Sequence, residues 1–250
     1  MKIPFLTCKW TDLIVANFAI EPQVVQHLVP KGTELDFHNG KTYLSLVAFR
    51  FTESRALGFL PIIPAFSFVE INLRFYVQRR HHGEIRRGVT FIKEIAPSRL
   101  ITWGAKIAYN EPYETFRTYE DAKNFDSDRG GVLTYGFESK GKRHEITAGT
   151  TGALKRMNHG TEARFILDHF WGYTSQRNGT TKEYNVVHPS WSYREVDSYR
   201  INQNLREFYG PPFTNELLKD PHSVFVAQGS SVGVFMCESI RAEEKSRQAS

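Results

Sequence analysis

The chain is poor in cysteine. Cys8 and Cys237 are the two present in 250 residues, and they lie near opposite ends. So distant a pair makes neither a disulfide framework nor a zinc site, and it fits a reduced, cytoplasmic setting. Long apolar runs are missing too. No stretch approaches the roughly 20 apolar residues that cross a bilayer as a helix. Lys9 and Asp12 interrupt the early apolar run, so no signal-peptide pattern is expected. Nine histidines occur, yet none falls in a His-x-His or His-Glu-x-x-His pattern. There is no phosphate-cradling glycine loop and no Gly-x-Ser-x-Gly elbow. We therefore expect no metal and no cofactor. Internal repeats and linkers are absent, which predicts one domain over 1–240 and a polar tail at 241–250.

Charge is present but scattered. The formal net charge is +5, a value that invites a nucleic-acid reading. The densest basic cluster, Arg79-Arg80-His81-His82 with Arg86-Arg87, flanks Gly83 and reads as a hairpin tip bearing solvated charge. No nucleic-acid and no membrane partner is expected, and the sequence leaves a homo-oligomer open.

Aromatic residues are abundant, with 19 Phe and 11 Tyr. They favour pleated, half-buried surfaces and so point to β structure. One stretch stands out. From Glu70 to Val77 the residues alternate strictly: Glu70, Asn72, Arg74 and Tyr76 share one side, Ile71, Leu73, Phe75 and Val77 the other. That period of two predicts a strand with one dry face. Its other face is a row of carboxylate, amide, guanidinium and phenol, each about 7 Å from the next. Two readings stay open. The row can wall a polar cavity, with Arg74 engaging a carboxylate and Glu70 as acid or base. Or Glu70 and Arg74 can pair to order a barrel interior. A return strand follows over Gly88–Ile95, in which simple alternation groups Lys93 with Val89, Phe91 and Ile95. A lysine among apolar neighbours either snorkels to water or sits in a dry pocket with a lowered pKa.

The remaining chain reads as strands with four helices. Strands are expected over 13–20, 35–37, 42–51, 66–79, 88–95, 116–119, 131–139, 142–148, 184–188, 191–198, 223–228 and 232–237. Helices are expected from Glu21-Pro22 to about Leu28, over 97–109, from Thr161 to near Gly172, and over 202–209. Residues 55–65 form an apolar loop, either a core cap or a pocket wall, and 121–130 a polar loop. His169, with Trp171 and Tyr173, marks either the edge of an aromatic pocket or a helix end. His188 beside Pro189 reads as structural. The class is α+β: a mostly antiparallel, β-barrel-like fold with a few helices packed outside.

Several runs resemble the YqjF-like bacterial family of domains of unknown function. They are Pro30–Asp36, Glu70–Val77, Gly88–Pro97, Tyr109-Asn-Glu-Pro-Tyr113, Asp168–Tyr173 and Val187–Trp191, and together they span roughly 10 to 235. That family is similar in outline to acetoacetate decarboxylases. The resemblance implies their barrel-like fold and a lysine that forms a Schiff base with a β-keto acid. A second lysine and a dry pocket lower its pKa, while an Arg and a Glu handle the carboxylate. Glu70 stands where the resemblance places that Glu. The matching run Glu94-Ile-Ala-Pro-Ser-Arg99 carries Ser98 and Arg99 in place of the lysine pair. Arginine stays protonated and forms no Schiff base, so Lys93 is the one lysine candidate. The assignment is thus Glu70 and Lys93 as catalytic residues, with Asn72, Arg74, Tyr76 and Tyr113 as ligand-binding residues. Three functions follow: a barrel binding a small anionic organic molecule, a Schiff-base lyase of decarboxylase or aldolase type, or a non-catalytic structural module.

Overall fold

Strand follows strand along most of the chain. The computed structural model describes residues 3–57, 60–61, 67–99, 102 and 110–240. β1 (Leu6–Ile20) leads through two 3-10 turns, Pro22–Val24 and Gln26–Leu28, to the short β2 (Glu34–Leu35). Then come β3 (Thr42–Ala56), β4 (Leu60–Pro61), β5 (Phe68–His81), β6 (Glu84–Ala96) and β7 (Tyr113–Thr115). The middle of the chain forms β8 (Arg117–Asp126), β9 (Gly130–Ser139), β10 (Lys142–Thr150) and β11 (Lys155–Arg156). Helix α1 (Glu162–Leu167) precedes β12 (Trp171–Ser175), β13 (Thr181–Val187), β14 (Ser192–Glu195) and β15 (Ser198–Ile201). Helices α2 (Gln203–Phe208) and α3 (Phe213–Leu217) lead to β16 (Ser223–Val234) and β17 (Glu238–Ile240).

The larger sheet follows the path β11-β14-β16-β1-β3-β5-β6-β12-β13-β17. β13 also pairs with β16, Val186 opposite Val234 and Val187 opposite Gly233. That contact brings the path back on itself, giving the sheet a barrel-like curl. Most pairings are antiparallel, but β6 runs parallel to both β12 and β7. A second sheet has the order β15-β10-β9-β8.

The alternation of β5 builds two cores. Ile71, Leu73, Phe75 and Val77 pack with Leu133, Tyr135 and Phe137 of β9 and with Leu205 and Phe213 of the small helices. On the inner face Tyr76 packs with Val15, Val47, Val89 and the α1 residues Phe165, Ile166 and Leu167. Leu73 is fully buried, and truncation of such a side chain to Ala costs about 2–5 kcal/mol. Helix α1 starts at Thr161, whose hydroxyl accepts from the Arg164 N–H at 3.4 Å, and α2 at Asn202, which accepts from Leu205 at 2.9 Å.

The structure corrects several sequence expectations. The segment after Glu21 forms 3-10 turns and no α-helix; it is far shorter than the length at which helices hold themselves together. α1 stops at Leu167, where Asp168 leaves helical geometry, and Trp171 begins a strand. Residues 121–126 extend β8 by pairing with β9, so the polar loop is shorter than expected. The expected strands 223–228 and 232–237 are one strand to Val234, bent at Gly229 (φ 77). A Cβ there would lie 2.0 Å from the Trp10 carbonyl. The basic cluster is not merely solvated: Arg79 is buried, 3.0 Å from Glu183, and Arg86 holds the same carboxylate. Most of the expected helix 97–109, the tail 241–250 and most of the loop 55–65 lie outside the described residues. Cys8 is buried and stands outside any disulfide. No helix among the described residues is long and apolar enough to cross a membrane.

Candidate ligand-binding and active site

The inner face of the curled sheet encloses a cavity of about 370 Å³, the size that accepts a small organic molecule. β5 contributes Phe68, Glu70, Asn72 and Arg74 to its wall. β6 contributes Val89, Phe91 and Glu94, and the chain entering β7 adds Glu111 and Tyr113. Most of the rest is apolar or aromatic, including Trp10, Phe49, Phe51, Ile166, Trp171 and Trp191.

Three carboxyl groups gather at one end. Glu70 accepts from Asn72 Nδ2 at 3.4 Å and from the Tyr113 hydroxyl at 3.3 Å. Glu111 Oε1 accepts from Thr174 and from Tyr184, each at 2.7 Å. Glu94 stands opposite Asn72 on one side and Tyr113 on the other. Burial pushes Glu70 up to about 7, against the hydrogen bonds from Asn72 and Tyr113 that favour its charged form. Burial, then the charges of Glu111 and Glu70, hold Glu94 well above the usual carboxylate range. Burial also raises Glu111. A carboxyl near 7 is suited to proton transfer at neutral pH. Gly172 makes room for this arrangement. A Cβ on it would lie 2.0 Å from Cζ of Tyr184.

Arg74 has different surroundings. Its guanidinium stands 5.7 Å from the ring of Tyr76. Among the described residues it forms no ion pair, its charge acts on Glu70, and its Nε is buried without a hydrogen-bond partner. Near it, His169 Nε2 lies 3.1 Å from Asp36 Oδ2, with both side chains buried. Asp36 is also 3.4 Å from Arg87 Nε. Burial lowers the His169 pKa, partly offset by Asp36. His188 is lowered by burial too, and its ring stacks on Trp191 at 4.0 Å.

Of the six residues singled out from the sequence, Glu70, Asn72, Arg74 and Tyr113 come together on the cavity wall. Tyr76 shares their face but sits deeper: its hydroxyl donates to Ser45 Oγ at 2.7 Å, and its ring lies 4.7 Å from that of His169. Lys93 lies on the opposite face. Its Nζ is 2.8 Å from Glu114 and 4.6 Å from the ring centre of Phe208. The reason is a β-bulge. Arg74 pairs with Phe91 while Leu73 pairs with Lys93, so Ile92 is an extra residue. One extra residue reverses which side chains face inward. Beyond it Glu94 enters the cavity and Lys93 leaves it. Ser98 and Arg99 are not among the described lining residues. Sequence reasoning did not single out the lining residues Glu94 and Glu111, read His188 as structural and left His169 open. The familial runs contained all four, but none has a motif spacing that announces it.

A model of the DUF2071 family, described as "Uncharacterized conserved protein (COG2071)", matches residues 7–231. The chain belongs to this family. The chain is also similar to the uncharacterized protein YqjF of Bacillus subtilis (strain 168), 28% identical over 198 residues, which are 76% of this chain and 75% of YqjF. Among solved structures, this DUF2071 protein is similar to acetoacetate decarboxylase from Legionella pneumophila, with a TM-score of 0.63 and 12% identity. The match covers 94% of this chain and 87% of the decarboxylase. It is also similar to the enduracididine biosynthesis enzyme MppR complexed with pyruvate, with a TM-score of 0.60 and 10% identity over 96% and 90% of the two chains. At such identities the likeness shows the fold, which is acetoacetate decarboxylase-like.

Proposed function

We propose that the cavity binds a small organic carboxylate anchored by Arg74, with Glu70 as the group that donates or accepts a proton beside it. One observation carries this reading. Arg74 is the single Arg or Lys among the described lining residues, its Nε has no hydrogen-bond partner, and it forms no ion pair among the described residues, although Glu70 feels its charge. A half-buried guanidinium without an anion is an unmet charge, and a carboxylate meets it with two parallel hydrogen bonds. MppR, a neighbour in fold, has been solved with pyruvate, which agrees with a carboxylate in this fold.

The Schiff-base alternative needs a neutral amine in the cavity. No lysine is found among the described lining residues, and Lys93 faces away. The purely structural alternative needs Glu70 to seal Arg74. Glu70 instead bonds Asn72 and Tyr113.

Titration calorimetry with acetoacetate, pyruvate and caproate tests the reading. Binding by the wild type and its loss in Arg74→Ala, on the order of 100-fold for a charge-assisted pair, is expected. Equal binding by both proteins removes Arg74 from the account. Borohydride treatment with the same keto acids is expected to leave the protein mass unchanged; an adduct on any lysine restores the imine reading.

A further inference from the structure

We propose that the occupant carries an amine as well as an acid, with its ammonium held among Asn72, Glu94 and Glu111 while its carboxylate meets Arg74. This rests on the carboxylate reading above and adds the second half of the ligand.

The unmet hydrogen bonds of the cavity differ in sign from place to place. Asn72 Oδ1, Glu94 Oε2 and Glu111 Oε2 are buried acceptors that no neighbouring N–H or O–H group satisfies, although the Glu94 and Glu111 carboxyls lie close enough to share a proton. Their residues are 1%, 2% and 5% exposed. Buried polar atoms are nearly always paired, so an unpaired amide carbonyl beside two carboxyls that have at most one proton between them calls for a donor-rich group. Arg74 Nε is the reverse, a donor with no acceptor.

The three acceptors lie at one level, two on neighbouring strands and Glu111 in the segment that leads into β7. Asn72 on β5 faces Glu94 on β6, and Glu94 faces Tyr113, two residues beyond Glu111. Arg74 lies one inward position further along β5, about 7 Å from Asn72 at the backbone. The two ends therefore suit a molecule whose charges are several bonds apart.

An ammonium fits the acceptor end better than the alternatives. It offers three donors in a fan and no acceptor. A bare metal ion is disfavoured, because no group of three acidic, histidine or cysteine side chains among the described residues could hold one. A proton removes the repulsion among the carboxyls but leaves the Asn72 carbonyl unpaired. The aromatic rings of Tyr113, Tyr184 and Trp171 also line the cavity, and ring faces attract organic cations.

The test compares caproate, hexylamine and ε-aminocaproate by titration calorimetry. The proteins are the wild type, Arg74→Ala and the double variant Glu94→Gln/Glu111→Gln, with folding checked by circular dichroism. In the wild type, ε-aminocaproate is expected to bind about tenfold or more tighter than caproate. The double variant is expected to abolish that advantage while still binding caproate. Should the double variant fail to fold, Glu111→Gln alone is read in the same way, with a smaller loss of the advantage. Equal affinity of the wild type for caproate and ε-aminocaproate, with both lost in Arg74→Ala, overturns the amine inference and leaves the carboxylate reading intact. Caproate binding that ignores Arg74→Ala overturns the carboxylate reading and this inference with it.

Discussion

Lys93 Nζ lies 2.8 Å from Glu114, on the side of β6 that faces away from the cavity. The pair is partly exposed, at 24% and 40% for the two side chains, so its contribution to stability is at most about 1 kcal/mol. Lys93→Met is expected to leave carboxylate affinity unchanged and to shift the urea midpoint only slightly. A large loss of binding would put Lys93 back in the site.

That position also shows how far the sequence could be read. The period of two through β5 was legible because no residue interrupts it: Glu70, Asn72 and Arg74 did face one cavity. The same rule failed on β6, because a bulge at Ile92 has no sequence signature and moves Glu94 inward. Glu111 stands just past the expected helix 97–109, where no spacing marks it. Its role comes from Thr174 and Tyr184, some 63 and 73 residues away in sequence. His169 could not be placed without knowing that α1 ends at Leu167 and that Asp36 waits at 3.1 Å. The fold class survived these misreadings because aromatic content and many alternating strands set it, whatever the fate of one strand's register.

Glu70 gives the protein a pH dependence of definite sign. Its pKa is raised from 4.5 to about 7 in the folded state. Between those values the folded protein holds a proton that the unfolded chain has released. The associated stability is therefore fully present below 4.5 and is lost as pH rises through 7. Glu94 and Glu111, also raised, act in the same direction. Glu70→Gln is expected to flatten the decline of Tm from weakly acid to weakly alkaline pH, and to be more stable than the wild type at the alkaline end. A decline as steep as that of the wild type would contradict the assignment.

His169 acts from the other side. Burial lowers its pKa below 6.5. The folded state resists a proton that the unfolded chain accepts, so stability is lost as pH falls below 6.5. Its Nε2 is the nitrogen that faces Asp36, so nitrogen NMR at neutral pH is expected to show a neutral ring protonated at Nε2. A ring protonated at Nδ1, or a charged ring, would contradict this geometry.

Gly172→Ala probes the packing around Glu111. The added methyl would meet the Tyr184 ring and push its hydroxyl off Glu111. A buried carboxyl that loses one such donor costs about 1–3 kcal/mol. A stability drop of that size and a weaker affinity for ε-aminocaproate are expected. A neutral effect on both would mean that Tyr184 swings aside without consequence.

Crystals grown with caproate test the central claim most directly. The account predicts carboxylate density within hydrogen-bond distance of the Arg74 guanidinium, with the alkyl chain among the aromatic residues of the cavity. An empty cavity in which Arg74 is closed by a carboxylate of the protein itself would contradict it.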